Sequence, residues 1–192
     1  MDMKIKLLTV FPLLSLVFLL FSGGGLAAEI KGVKFVDSFR LDQTELRLSG
    51  IAALKWALLF DVYAGAFYLP ENHPASAWTA DVPKRLELAY FRTFKADQFV
   101  ASSDQLLRQN LSPEEYQVLV PRLENFLGLF REVRSGDRYS LNYRPGIGTE
   151  LQLNDVPLGV APGLDFAVAY FGIWLGAEPI DAGFRDRLLG VQ

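Results

Sequence analysis

Two hydrophobic patterns divide this chain. From Leu7 to Phe21 the residues are apolar almost without a break, after a start that carries Lys4 and Lys6, and Ser22 and Gly23 to Gly25 end the run. A basic start, about 15 apolar residues and then small residues at Gly25, Ala27 and Ala28 predict a signal peptide over residues 1–27, cleaved after Ala27 or Ala28. A spanning helix takes about 20 apolar residues, and Pro12 weakens a permanent helix, so an uncleaved anchor is the second reading. No Cys follows the run, which excludes a lipoprotein anchor. Residues 28–192 contain no linker-like tract and are expected to form one domain, periplasmic or secreted.

Beyond the run the pattern is broken into short periods. Val33, Phe35, Phe39, Leu41, Leu46 and Leu48 alternate with polar residues about Asp42-Gln43, which predicts a hairpin between Ile30 and Gly50. Ala52 to Leu69 is the most apolar later stretch; it lacks helical spacing and is rich in β-formers, which predicts one long bent strand or two strands in line, with Gly65 at the bend. A short helix is expected over Pro74–Thr79 and a strand over Arg85–Phe94. The period then changes to helical from Ala96 to Asn110. Ser112-Pro113-Glu114-Glu115 is a helix start with Ser at the N-cap, Pro at N1 and Glu at N3, followed by a stripe of Tyr116, Leu119, Leu123, Phe126, Leu127 and Phe130 with a kink at Pro121. Alternation resumes in Arg138–Arg144 and Gly148–Leu153, a second hairpin, with a further turn at Asn154-Asp155. Pro162–Trp174 and Asp181–Leu189 close the chain as helices. Strands, two helices, strands and helices in that order predict an α+β domain with helices laid over one face of a mostly antiparallel sheet.

Composition narrows the chemistry. The 192 residues include one His and no Cys. That removes thiolate catalysis, zinc–thiolate sites and Fe–S clusters, and leaves no usual transition-metal site, so neither metal nor cofactor is expected. The formal net charge is −3, and loss of Asp2, Lys4 and Lys6 with the signal makes it about −4. Such a balance gives no bulk electrostatic reason to bind nucleic acid or anionic lipid. His73 sits in the polar Glu-Asn-His-Pro loop, and Glu114 and Glu115 are read as first-turn helix charges before an acid–base pair. Pro145-Gly-Ile-Gly148 is a hairpin turn, since no helix with Lys-Ser/Thr follows it.

Three segments resemble one family. They are Leu48-Ser-Gly-Ile-Ala-Ala-Leu-Lys55-Trp56 with Val62-Tyr63-Ala-Gly-Ala-Phe67-Tyr68-Leu69, then Gly136-Asp137-Arg-Tyr-Ser-Leu-Asn-Tyr-Arg-Pro-Gly-Ile-Gly148-Thr149, then Asp165-Phe166 with Phe171-Gly-Ile-Trp174-Leu175-Gly176 and Pro179. In this order they resemble the chalcone isomerase-like superfamily, in particular its exported bacterial branch. The resemblance implies an open-faced β-sandwich, a large antiparallel sheet under a helical layer with a pocket between them. It also implies one of two activities, cyclisation of chalcones or binding of fatty acids. The isomerases hold a phenolate with Arg and polarise the enone with Thr and Tyr hydroxyls, stabilising enolate charge. At those positions this chain has Lys55, Tyr63 and Phe99, and Leu106 falls near their Asn, so the isomerase set is mostly missing.

Lys55 stands in apolar sequence, either a strand-edge Lys with its head in water or an anion site on a pocket wall. Trp56, Tyr63, Phe67 and Phe99 are either core or pocket lining. The expected function is a non-catalytic periplasmic carrier of an apolar, fatty acid-like ligand, with Lys55, Trp56, Tyr63, Phe67 and Phe99 as candidate ligand-binding residues. The alternative is a structural or protein-interaction domain of the envelope, and an enzyme of other chemistry comes third. Membrane association is expected only through the signal or an uncleaved anchor.

Overall fold

The computed structural model describes residues 27–56 and 59–191, Trp56 by its backbone alone. The predicted signal run therefore lies outside the described residues. Nine strands and four helices are described: β1 (Ala28–Ile30), β2 (Val33–Phe35), β3 (Ser38–Leu41), β4 (Thr44–Trp56), β5 (Phe60–Pro70), β6 (Lys84–Tyr90), α1 (Ala96–Asn110), α2 (Pro113–Leu127), β7 (Arg138–Arg144), β8 (Gly148–Leu153), β9 (Val156–Ala161), α3 (Leu164–Leu175) and α4 (Ala182–Leu188). Strands β3 to β9 form one sheet in chain order, each antiparallel to the next. The helices cover one face. The sheet is a meander, interrupted by a 3-10 turn between β5 and β6 and by α1 and α2 between β6 and β7.

Alternation decides which side chains face the helices. On β6, Leu86, Leu88 and Tyr90 join the main core with Tyr139, Leu141 and Leu151 of the neighbouring strands. Arg85 and Glu87 point to the other face, where Arg85 is 2% exposed. There the Arg85 guanidinium donates to Glu87 at 3.0 Å and to Asn142 Oδ1 at 2.8 Å and lies over the Phe39 ring, which satisfies charges that would otherwise be costly to bury. A smaller outer core of Phe35, Leu41, Leu46, Ala64, Ala66, Tyr68 and Ala89 sits under the N-terminal hairpins.

Several expectations meet the structure directly. The Asp42-Gln43 turn joins β3 to β4, with Asp42 at φ 52°. Ser112 accepts from the Glu115 N–H at 3.2 Å while the Ser112 N–H donates to Glu115 Oε2 at 2.8 Å, the reciprocal cap read from the sequence. Others are corrected. Ala52–Leu69 is neither one bent strand nor two strands in line: β4 and β5 run antiparallel, Leu54 opposite Tyr63 and Ala52 opposite Gly65. Gly65 is no bend. A Cβ there would lie 2.6 Å from Phe184 Cζ, so the missing side chain makes room for an α4 ring on the sheet. The helix expected over Pro74–Thr79 is a 3-10 turn, Ala75–Thr79, and the strand expected to reach Phe94 ends at Tyr90. Strand β9 was not anticipated. It is the sheet edge, where Pro157 is tolerated because one side needs no N–H donor.

Candidate functional site

Between sheet and helices lies a cavity of about 600 Å³. Its floor is built by register. Leu54, Tyr63 and Tyr90 lie in one row across β4, β5 and β6, and Leu88 with Tyr139 and Leu86 with Leu141 and Leu151 form the next rows. The roof comes from α1 and α3. Phe99, Ser102, Ser103 and Leu106 recur at helical spacing on one side of α1, and Tyr170, Ile173 and Trp174 on one side of α3. The lining is mostly apolar. It opens where its exposed members gather: Lys55 at the end of β4, Arg92 just past β6, Gln98 and Ser102 on α1, and Asp181 before α4.

The polar groups inside fall into two sets. Some are committed to holding the walls. Trp174 Nε1 donates to the Tyr63 hydroxyl at 2.9 Å, Ser103 Oγ and the Tyr170 hydroxyl share a bond of 3.1 Å, and the Tyr139 hydroxyl donates to the Arg131 carbonyl at 2.9 Å. Others are uncommitted. Tyr90 is 5% exposed, and its hydroxyl bonds to no described residue. Tyr63 accepts from Trp174, but its own hydrogen has no acceptor among the described residues. Burial holds the Tyr63, Tyr90 and Tyr170 hydroxyls well above the ordinary phenol value, so each is a neutral donor at physiological pH.

The mouth carries two cations, Lys55 and Arg92, and one carboxylate, Asp181. Among the described residues no carboxylate comes within ion-pair distance of Lys55 or Arg92. Asp61, opposite Lys55 in the strand pair, is taken instead by Lys31 at 3.4 Å. Asp181 Oδ1 accepts from the Phe184 N–H at 2.6 Å and caps α4. An apolar cavity whose opening carries two cations without a carboxylate partner among the described residues, with phenol donors just inside, can hold a molecule with an apolar body and an acidic or hydrogen-bond-accepting head. No group of described His, Asp or Glu residues is placed to hold a metal ion.

The sequence pattern of the family described as chalcone isomerase-like matches residues 27–190. The chain belongs to the chalcone isomerase-like family. Among solved structures, this chalcone isomerase-like chain is similar to a fatty-acid binding protein of Arabidopsis thaliana, with a TM-score of 0.67 and 19% identity over 85% of this chain and 96% of that one. At that identity the likeness speaks for the fold. No curated protein matches the sequence.

The predicted residues of this chalcone isomerase-like domain separate accordingly. Lys55, Tyr63 and Phe99 meet around the cavity. Lys55 takes the pocket-wall place with its head exposed, which joins the two readings of it. Phe99 brings a ring, stacked on Phe130 at 5.3 Å, where the isomerases carry a hydroxyl. Phe67 does not line the cavity: it is fully buried, with its ring 6.5 Å from that of Phe171 under α3. The Trp56 side chain lies outside the described residues. Arg92 and Tyr90 were missed, although the signal was present. Leu86, Leu88, Tyr90, Arg92 and Phe94 share one parity, so Arg92 is a cation on an apolar face.

Proposed function

We propose that this protein is a non-catalytic carrier of an acidic apolar ligand of the fatty acid type, acting in the periplasm after export. The observation that carries the reading is the cavity of about 600 Å³, which falls in the usual range of about 300–1,000 Å³ for small-molecule sites and opens between Lys55 and Arg92. The apolar walls take the chain of the ligand. Lys55 and Arg92 meet its carboxylate, and the Tyr63 and Tyr90 hydroxyls supply donors to the same head. The family membership and the fold shared with a plant fatty-acid binding protein support this reading. A purely structural domain has no use for an opening of this kind. Phe99 in place of a hydroxyl, with a Lys where the isomerases place Arg, argues against flavanone formation.

Calorimetric titration with a long-chain fatty acid and with its methyl ester tests the proposal. Saturable binding of the acid is expected, with the ester weaker. Lys55→Met and Arg92→Met each weaken the acid by about tenfold, the worth of one charge-assisted contact near the surface, and leave the ester unchanged. An acid that does not bind, together with a purified protein free of lipid in native mass spectrometry, overturns the proposal.

A further inference from the structure

We propose that the rim of the cavity is a docking surface for a phospholipid bilayer bearing anionic headgroups. Leu59 and Phe60, where β4 reverses into β5, are 78% and 44% exposed, and Leu59 is the most exposed large apolar residue described. Scattered exposed valines need no explanation, but two adjacent large side chains at a cavity mouth do. They are ringed by cations. The Arg92 guanidinium lies 5.1 Å from the centre of the Phe60 ring, Lys55 pairs with Asp61, the next residue after Phe60, across the two strands, and Lys31 reaches Asp61 at 3.4 Å. With Asp61 matched by Lys31 and Asp181 engaged in capping α4, the rim presents an apolar tip near Lys55 and Arg92, neither of which has a carboxylate partner among the described residues.

A bilayer fits this arrangement better than a protein does. A stable protein interface takes about 800 Å² per partner, far more than two side chains offer. Insertion among headgroups needs only a tip that sinks about 5–10 Å while Lys and Arg reach up to phosphates. The bulk charge of −3 opposes approach to anionic lipid. Screening over about 8 Å at physiological salt leaves the local cations in control at contact. Should the N-terminal run stay attached as an anchor, the second reading of it, the path of the chain agrees. Ala27, the first described residue, precedes Lys31 by four residues, at most about 13 Å of extended chain, and the apolar run Leu7 to Phe21 precedes Ala27. The inference goes beyond the ligand reading and does not require it. Together they have a lipid pass between membrane and cavity without crossing water.

The absence of Cys makes the test clean, because a single thiol introduced into the full chain takes one environment-sensitive fluorophore. Leu59→Cys reports the rim. Ile147→Cys, 55% exposed at the β7–β8 turn, reports the opposite end of the sheet, since β7 pairs with the Tyr90 end of β6 at Arg138 and turns back at Arg144. Phosphatidylglycerol-rich vesicles are expected to shift the emission at position 59 to the blue and raise it severalfold. Pure phosphatidylcholine vesicles or high salt give a smaller response, and position 147 gives none. No response at 59, an equal response at 147, or the same response on raising protein concentration without vesicles overturns the inference; the last means that a second copy covers the rim. Both variants carry the N-terminal run, so tethering acts on both, and the docking is read from the difference between positions 59 and 147 and from its dependence on anionic lipid and salt. Docking by a protein that binds no fatty acid keeps the surface and removes the carrier reading instead.

Discussion

The indole N–H of Trp174 donates to the hydroxyl of Tyr63 at 2.9 Å, tying α3 to β5 across the cavity wall. Both residues are buried, so each needs the other. Tyr63→Phe leaves a buried indole N–H unsatisfied and is expected to cost about 1–3 kcal/mol, and Trp174→Phe somewhat more through lost ring packing. Chemical denaturation of the two single variants and the double variant should give a favourable coupling of about 1 kcal/mol. Zero coupling removes the bond as a link between helix and sheet.

Position 50 should accept no side chain. A Cβ on Gly50 would lie 2.0 Å from the Arg187 carbonyl oxygen, a backbone atom with nowhere to move unless α4 lifts. Gly50→Ala is therefore expected to destabilise by more than about 2 kcal/mol and to expose Phe184 and Leu188, which are fully buried on the sheet. Hydrogen exchange should rise first in α4.

Filling the cavity and opening the core should part binding from stability. Leu106 on α1 is half-buried and lines the cavity, so Leu106→Trp has room to grow inward and is expected to weaken ligand binding more than tenfold at unchanged melting temperature. Phe67→Ala removes a fully buried ring away from the cavity and is expected to cost about 3–5 kcal/mol, while the folded fraction keeps its affinity. Titration and thermal melts on the two variants check both halves.

Alkaline pH should unfold the protein steeply. Tyr63, Tyr68, Tyr90, Tyr143 and Tyr170 all have hydroxyls raised above the ordinary value, with burial the largest cause in each. Unfolded tyrosines ionise near pH 10 and the folded ones only above it, so unfolding releases protons and stability falls as pH rises beyond about 10. Lys84 works in the other direction. Burial lowers it to about 8, so between pH 8 and its unfolded value near 10.5 the unfolded chain holds the extra proton and stability gains from rising pH. Denaturation curves from pH 7 to 12 should show a rise before the fall, and Lys84→Met should abolish the rise alone.

How far the sequence discloses the molecule depends on what kind of signal each part leaves. The helices over Ala96–Asn110 and from Pro113 onward are legible because capping and apolar spacing are local. The reversal between β4 and β5 is not, because Ala57, Leu58 and Leu59 lack the Gly, Pro, Asn or Asp that usually mark a turn. Strand β9 hides behind Pro157 and Gly159, residues that an edge strand tolerates and a central one does not. The cavity divides in the same way. Lys55 and Tyr63 stand out by type and position, whereas separating Phe99 on the wall from Phe67 in the core requires knowing that α3 lies over one and not the other. Arg92 was readable from parity alone.

The last helix carries a consequence for how the molecule is made. Phe184 occupies the space above Gly65, and α4 rests on Gly50, so the sheet floor stays unfinished until α4 joins strands laid down well over a hundred positions earlier. A chain emerging from a ribosome or threading through a translocation channel cannot close this floor early. Closure of the floor thus waits on α4, and a polypeptide clipped before Ala182 leaves the sheet bare over Gly50 and Gly65, an exposed apolar surface open to proteolysis.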